Sequence, residues 1–195
     1  MGQIKISQLT PKDAPLSDTD LFVIAEETSD GYISKSVTGL EVMESVKTSN
    51  AFGSFIDLTT QTTSANTPTP MRMRETITAK DVSIDEGTKM VVEQDGIYNV
   101  QFSAQIYRTS GGTTQHVDIW FRVNGVDIDN SNTKVTIQND HYHNPAWNFF
   151  IRLHSGDYVE IMWATTANTI ELIYENGSSI HPAIPSVIAT INRIN

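Results

Sequence analysis

The chain has 195 residues, no cysteine and a formal net charge of −10 at pH 7. The absence of thiols excludes disulfide scaffolds and thiolate zinc sites, and the acidic charge disfavours binding to nucleic acid, whose phosphates it repels. No run of about 18 apolar residues occurs, so we expect no membrane insertion.

Residues 1–50 place their apolar side chains in short bursts. Residues 21–25 predict a strand, residues 26–31 predict a loop that contains an Asp-Gly turn signal, and residues 32–37 predict a second strand. Thr38 and Glu41 have the spacing of a capping box, which predicts a helix that begins there and ends near Lys47. Three residues form the apolar stripe of that helix: Leu40, Met43 and Val46.

This N-terminal region is too small to bury a core of its own. It could pack on the following domain, dock on another protein or remain a disordered arm. We favour docking on another protein, because exposed clusters of apolar side chains are stabilised when a partner buries them. The side chains that we expect to dock are those of the first strand and of the helix stripe: Leu21, Phe22, Val23, Ile24, Leu40, Met43 and Val46.

Residues 51–195 form the second predicted domain, and they begin with a Thr-rich, Pro-containing segment at residues 51–70. From residue 71 onwards apolar and polar side chains alternate, as in residues 98–106 and 117–123. Asp-Gly, Gly-Gly and Asn-Gly pairs separate these runs. Seven or more such strands with no helix between them predict a mainly β, antiparallel sandwich.

Several large side chains interrupt the polar face of these strands. They are Tyr107, Trp120, Phe150, Met162 and Ile173. Loops could cover them in part, but a group of large apolar residues on outer faces is more typical of an interface. We therefore expect these five residues to form contacts between subunits.

Three stretches of the second domain resemble the C1q/tumour-necrosis-factor-like jelly roll. They are GIYNVQFSAQ at residues 96–105, FRVNG at residues 121–125 and LHSGDYVEI at residues 153–161. They occur in the order and at the spacing of that family. The resemblance implies a compact jelly-roll sandwich that assembles as a homotrimer, with the outward aromatic residues facing the threefold partners.

The N-terminal region resembles the leader of many tailed-phage fibre and decoration proteins. The stretches that carry this resemblance are ISQLT at residues 6–10, PLSDTDLFVI at residues 15–24 and SVTGLE at residues 36–41. In those proteins the leader attaches the chain to the virion. The resemblance implies that residues 1–50 are a virion-attachment region that precedes the jelly roll of residues 51–195.

Two segments could bind a metal ion, and no segment carries a catalytic motif. His141 and His143 lie on one side of an extended segment, and three copies around a trimer axis would offer an octahedral site; a solvated loop is the favoured alternative. Residues 127–132 resemble a calcium loop but lack its glycine. We therefore expect no cofactor and no enzymatic activity.

The sequence thus predicts a phage structural protein on the virion surface, held by its N-terminal region to a capsid or tail protein. The compact size, with no long shaft repeat between residues 50 and 71, favours a capsid decoration or head-fibre subunit. The alternative is a tail-fibre receptor-binding protein, in which loops at residues 110–114, 139–144 and 165–168 would bind host surface glycans.

Overall fold

The computed structural model describes residues 13–46 and 50–194, including their side chains except those of residues 44–46. The chain divides into two compact units, Met1–Ser49 and Asn50–Asn195. Each unit is described by itself below.

The first unit is a β-hairpin followed by a short helix. Its elements are β1 (Leu21–Thr28), β2 (Gly31–Thr38) and α1 (Gly39–Val46). The strands pair antiparallel along their whole length, so β1 continues through part of the predicted loop and only Ser29 and Asp30 lie between the strands. Gly31 permits this tight connection because its φ of 117° is unfavourable for other residues.

Helix α1 begins with two reciprocal hydrogen bonds. The backbone N–H of Thr38 donates to Glu41 Oε2 at 2.7 Å, and the N–H of Glu41 donates to Thr38 Oγ1 at 3.2 Å. These are the bonds of a capping box. The N–H of Gly39 donates to the carbonyl oxygen of Asp20 at 2.6 Å. A Cβ on Gly39 would overlap the carbonyl oxygen of Ser17, so this position accepts only glycine.

The second unit consists of β-strands. They are β3 (Phe52–Asp57), β4 (Gln61–Thr62), β5 (Thr69–Pro70), β6 (Glu75–Lys80), β7 (Val82–Asp85), β8 (Lys89–Val92), β9 (Gly96–Ala104), β10 (Ile106–Arg108), β11 (Gln115–Val123), β12 (Val126–Asp127), β13 (Thr133–Ile137), β14 (Tyr142–His143), β15 (Ala146–Leu153), β16 (Tyr158–Thr165), β17 (Ile170–Leu172) and β18 (Val187–Arg193).

The pairing of the eight principal strands is nested. β3 pairs with β18, β8 with β16, β9 with β15, and β11 with β13, all antiparallel. The first strand of this set therefore pairs with the last, the second with the second last, and so on inward, which is the winding of a jelly roll. The fold class predicted from the sequence is confirmed.

The strands form three sheets. One has five strands in the order β15-β9-β18-β3-β6, and a second has the order β12-β11-β16-β8-β7, with β13 on β11 and β5 on β16. A small end sheet has the order β14-β10-β17-β4. Gln105 separates β9 from β10, which belongs to this end sheet. The N–H of Gln105 donates to the carbonyl oxygen of Ser186 at 2.9 Å.

The core contains large side chains from both main sheets. Trp163, Tyr98, Phe55 and Phe121 are fully buried. Phe102 contacts Trp147 and Phe121 edge to face, at ring-centroid distances of 4.6 and 6.0 Å. The alternation predicted from the sequence places these residues inward, and burial of their aromatic surface is the main source of stability in this unit.

A buried carboxylate stabilises the end of β3. Asp57 accepts hydrogen bonds from Arg74 Nε at 2.8 Å and Nη2 at 3.2 Å, and from the N–H and hydroxyl of Thr59 at 2.9 and 2.6 Å. Burial raises the pKa of Asp57, but the hydrogen bonds from Arg74 and Thr59 outweigh it, so the pKa lies below 3.8. Asp57 is therefore charged in the folded protein at neutral pH.

We expect stability in acid to depend on Asp57. A lowered pKa in the folded state contributes stability above the unfolded pKa of 3.8, and this contribution disappears as the pH falls through the folded pKa. Asp57→Asn should lower the free energy of unfolding at pH 7 by about 2 kcal/mol, since Arg74 is partly exposed. It should also flatten the acid limb of urea-unfolding curves measured against pH. The exposed Asp85→Asn should leave that limb unchanged; an equal effect of both variants would contradict this role.

Gly39→Ala should disrupt the first unit alone. The new methyl group would displace the Ser17 backbone and break the hydrogen bonds that join residues 17–20 to α1. Amide hydrogen exchange should become fast in β1, β2 and α1 and remain slow in the core of the second unit. Gly112→Ala is the control, because a Cβ there meets open space. Slow exchange of the first unit in Gly39→Ala would show that this contact is dispensable.

Candidate functional site: interaction surfaces

The hairpin of the first unit has one bare face. Opposite residues of an antiparallel pair share a face, so the register places Leu21, Val23 and Ala25 beside the serine and threonine residues of β2. Val23 is 82% exposed and Leu21 is 72% exposed. Glu27 is the only charged residue of the two strands on this face, which also carries the exposed Tyr32. We call Leu21, Val23, Ala25 and Tyr32 the bare hairpin face.

The other face of the hairpin is partly covered by α1. Phe22 and Ile24 lie on this face and are less exposed, at 36% and 42%. A groove of about 260 Å³ remains between the strands and the helix, and it is lined by Ile24, Val37, Glu41 and Val42. The predicted docking residues therefore divide between two faces.

The helix stripe is only partly described. Leu40 is exposed and Met43 is half-buried, whereas the side chain of Val46 lies outside the described residues. The docking role of all seven predicted residues stays a prediction.

The outer face of the five-stranded sheet is uncharged at its centre. The register forms three cross-strand rows that run through β15, β9, β18 and β3. These rows are Phe150-Asn99-Asn192-Phe52, Asn148-Gln101-Thr190-Ser54 and Ala146-Ser103-Ile188-Ile56. Two depressions of about 240 and 260 Å³ lie on either side of Gln101. We call these three rows the five-stranded face.

The outer face of the second sheet is covered at one of the predicted interface residues. Met162 lies between Trp120 on β11 and Pro70 on β5, and it is fully buried within the subunit. Its neighbour along the same face, Glu160, is also buried and accepts a hydrogen bond from Thr88 Oγ1 at 3.0 Å. The expectation that Met162 is an outward contact residue was wrong, because its side chain has no exposed surface even without a second copy of the chain.

Trp120 lies beside a groove at the edge of this sheet. The groove has a volume of about 310 Å³ and is lined by Trp120, Asp127, Ile128, Asp129, Asn130 and Asn132. The indole Nε1 of Trp120 donates to Asp127 Oδ1 at 2.8 Å, and Arg122 Nε donates to the same oxygen at 2.7 Å. These bonds, with that from Arg122 the stronger influence, lower the pKa of Asp127. We call this cavity the Trp120 groove.

The loop that forms the rim of the groove is fixed by a buried serine. Ser131 Oγ donates to the carbonyl oxygen of Ile128 at 2.8 Å and accepts from the N–H of Phe121 at 3.1 Å. Asn130 has a left-handed backbone with φ of 62°. The sequence of this loop indicates only a similarity to a calcium loop, and the groove that it forms with Trp120 becomes apparent in the folded chain.

Two tyrosines stack on the end sheet. The rings of Tyr107 and Tyr142 have centroids 4.5 Å apart. Tyr107 OH donates to Asp140 Oδ1 at 2.6 Å, and Tyr142 OH donates to Glu175 Oε1 at 2.8 Å. The hydrogen bond that each hydroxyl donates to its carboxylate raises the pKa of the tyrosine, and repulsion between the carboxylate and a phenolate adds to this shift.

The five predicted interface residues do not form one patch. Phe150 lies on the five-stranded face and Trp120 on the other main sheet. Tyr107 lies in the end sheet, and Ile173 follows β17 of that sheet and is half-buried. Subunit contact by any of these four exposed or half-buried residues stays a prediction, but one flat interface cannot include them all.

The histidine pair is exposed on the short strand β14 and the residue before it. His141 Nδ1 lies 2.6 Å from the carbonyl oxygen of Asn139, and His143 pairs with Ile106 of β10. Within residues 13–46 and 50–194, no three His, Asp or Glu side chains are placed to hold a metal ion. In the same part of the chain, none of the helices has the length and apolar character needed to cross a membrane.

No family model and no curated protein sequence matches this chain. Among solved structures, it is similar to three crystal structures of murine APRIL, determined at pH 8.5, 5.0 and 8.0. The sequence identities are 10%, 10% and 11%, and the TM-scores are 0.48, 0.48 and 0.45. Each match covers 74% of this chain and 99% of the other. A likeness of this degree carries no information about function.

Proposed function

We propose that this protein is a structural component of a tailed-phage virion, a capsid decoration or head-fibre subunit. Residues 1–50 attach it to a capsid or tail protein, and the jelly roll is displayed on the virion surface as a homotrimer. The observation that carries the proposal is the bare hairpin face on a unit separate from the jelly roll. The resemblance of residues 6–41 to phage attachment leaders supplies the virion context.

The attachment role follows from the exposure of the hairpin. A two-stranded sheet is marginally stable in water, and this one leaves most of the Leu21 and Val23 side-chain surface exposed. Burial of a Val or Leu side chain contributes about 1.5–3 kcal/mol. A receiving protein that covers the bare hairpin face would therefore stabilise the unit and bind it in the same step.

The trimer is supported by the five-stranded face. Its three rows contain no charged residue, so covering them requires no desolvation of an ion. Phe150, Phe52 and Ile188 supply exposed apolar surface, at 59%, 37% and 40%. The small polar residues between them can hydrogen-bond across a contact between subunits. This surface includes Phe150 but none of the other four predicted interface residues, and it replaces that set as the proposed contact.

The alternative, a tail-fibre protein that binds a host receptor, is favoured by one observation. The Trp120 groove offers a site on a sheet other than the five-stranded face, so a trimer could leave it open to host surface glycans. Attachment through residues 1–50 is common to both functions.

Charges on the bare hairpin face should abolish attachment. Leu21→Asp combined with Val23→Asp would place two carboxylates where the receiving protein buries apolar surface. We expect at least a tenfold loss of the protein from purified virions, measured by quantitative immunoblotting against the major capsid protein. The exposed turn variant Ser29→Asp is the control. Undiminished incorporation of the double variant would refute attachment through this face.

A charge at the centre of the five-stranded face should dissociate the trimer. Thr190→Arg would bury an unpaired guanidinium in the middle of the second row. Light scattering should give about three times 21.6 kDa for the natural chain and 21.6 kDa for the variant. Thr133→Arg, at an exposed position of β13, should remain trimeric. A monomeric natural chain, or a trimeric Thr190→Arg variant, would contradict this interface.

A further inference from the structure

We propose that the Trp120 groove is a binding site for one ring of a neutral saccharide. Its volume of about 310 Å³ lies at the lower end of ligand pockets, which range from about 300 to 1,000 Å³. A single pyranose ring fills such a space, and the open shape lets the rest of a glycan extend into solvent. The proposal does not depend on where the protein is displayed.

The groove supplies an aromatic surface of fixed orientation. Trp120 is half-buried, and its indole N–H is held by Asp127 Oδ1 at 2.8 Å. The C–H groups on one side of a sugar ring pack favourably against an aromatic face, whose π-system is negative. Because Asp127 is itself held by Arg122, the ring does not have to be ordered when a ligand arrives.

Polar groups around this surface are available for sugar hydroxyls. Within the part of the chain that the structure describes, the side chains of Asp129 and Asn130 make no hydrogen bond, although both line the groove. Asn132 donates through Nδ2 to Asp118 at 3.1 Å, which leaves its amide oxygen free to accept. A carboxylate and two amides can accept from and donate to adjacent hydroxyl groups on one ring.

The rim loop is rigid before binding. The buried Ser131 hydroxyl ties the loop to β11, and Asn130 is held in a left-handed conformation that asparagine tolerates. A rigid site loses little conformational entropy when it binds. The groove therefore combines a rim loop that is fixed by a buried side chain with an aromatic side chain on the neighbouring strand.

Charge selects the class of saccharide. Arg122 pairs with Asp127, and Lys134 lies 3.9 Å from Asp118, but Asp129 has no cationic partner among the described residues. Its carboxylate repels acidic sugars and accepts from uncharged hydroxyls. The expected ligand is thus a hexose or N-acetylhexosamine and not a uronic or sialic acid.

The stacked pair of Tyr107 and Tyr142 is a weaker candidate and a useful control. Each ring covers one face of the other, and both hydroxyls already donate to carboxylates. A site of this kind would not share residues with the Trp120 groove.

The test is a titration of the full chain labelled with 5-fluorotryptophan. The chain has three tryptophans, so ¹⁹F NMR gives three signals, and the spectrum of Trp120→Phe assigns one of them to position 120. Probes are methyl glucoside, methyl galactoside, methyl N-acetylglucosaminide and glucuronic acid. At least one neutral probe should shift the Trp120 signal with a Kd of about 1 to 10 mM. Trp147 and Trp163 should not shift.

Variants separate the groove from general surface effects. Asp129→Ala, and Asn130→Gly, which keeps the left-handed backbone, should each raise the Kd about three- to tenfold. Trp120→Ala should raise the Kd at least tenfold, as monitored by the methyl signals of the probe. Tyr142→Ala should leave the Kd unchanged. If Trp120→Ala fails to fold, the variants of Asp129 and Asn130 still test whether the groove binds the saccharide.

Four outcomes would overturn the proposal. The first is that no neutral probe shifts the Trp120 signal at concentrations up to about 100 mM, and the second is that calcium ions shift this signal in the absence of any saccharide. The third is that glucuronic acid binds as tightly as the neutral probes, and the fourth is that Tyr142→Ala abolishes binding. None of these bears on attachment of residues 1–50 or on trimer formation, which are measured separately.

Discussion

The pairing of β3 with β18 is the constraint on which the rest of the second unit depends. It joins the two ends of the jelly roll across a separation of 129 residues between Asp57 and Ser186. Closing so long a loop has an entropic cost that only cooperative burial can offset. Hydrogen bonds at this junction fix the position of the two ends. Ser186 donates through its N–H to the carbonyl oxygen of Asp57, and Gln61 donates to Ser186 Oγ. The Asp57–Arg74 pair stabilises the same end of β3.

The same pairing creates the five-stranded face. Only when β18 lies between β9 and β3 do Gln101, Thr190 and Ser54 come into one row. Alternation along each strand predicted correctly which side of Tyr98, Val100 and Phe102 is core. It could not predict which strands are neighbours, and for this reason Trp120 and Phe150 were assigned to one patch although they lie on different sheets. Long-range pairing is a property of the whole chain, and no local pattern encodes it.

Two local features could also not be predicted from the sequence. Met162 and Glu160 occupy outward positions of β16 and are nevertheless buried, and the register places Met162 between Trp120 on β11 and Pro70 on β5. The hydrophobic pattern distinguishes the two sides of a strand but does not show whether something covers the second side. The Trp120 groove was missed for a related reason. Its aromatic floor lies on β11 and its rim lies in the following loop, so the two appeared as separate motifs until the hydrogen bonds to Asp127 joined them.

The placement of these surfaces gives the proposals a common physical logic. A contact between copies needs an uncharged area that water leaves readily, and the five-stranded face has this character. A saccharide site needs exposed polar groups and one ordered ring, and these lie on the other main sheet. Because the two do not compete for the same residues, a trimer would present three copies of a weak site at once. Linked weak sites bind a surface far more tightly than one site binds its ligand in solution. If the groove binds with the proposed millimolar affinity, adhesion requires several linked copies of it, and the contact proposed for the uncharged face of the other sheet would supply three.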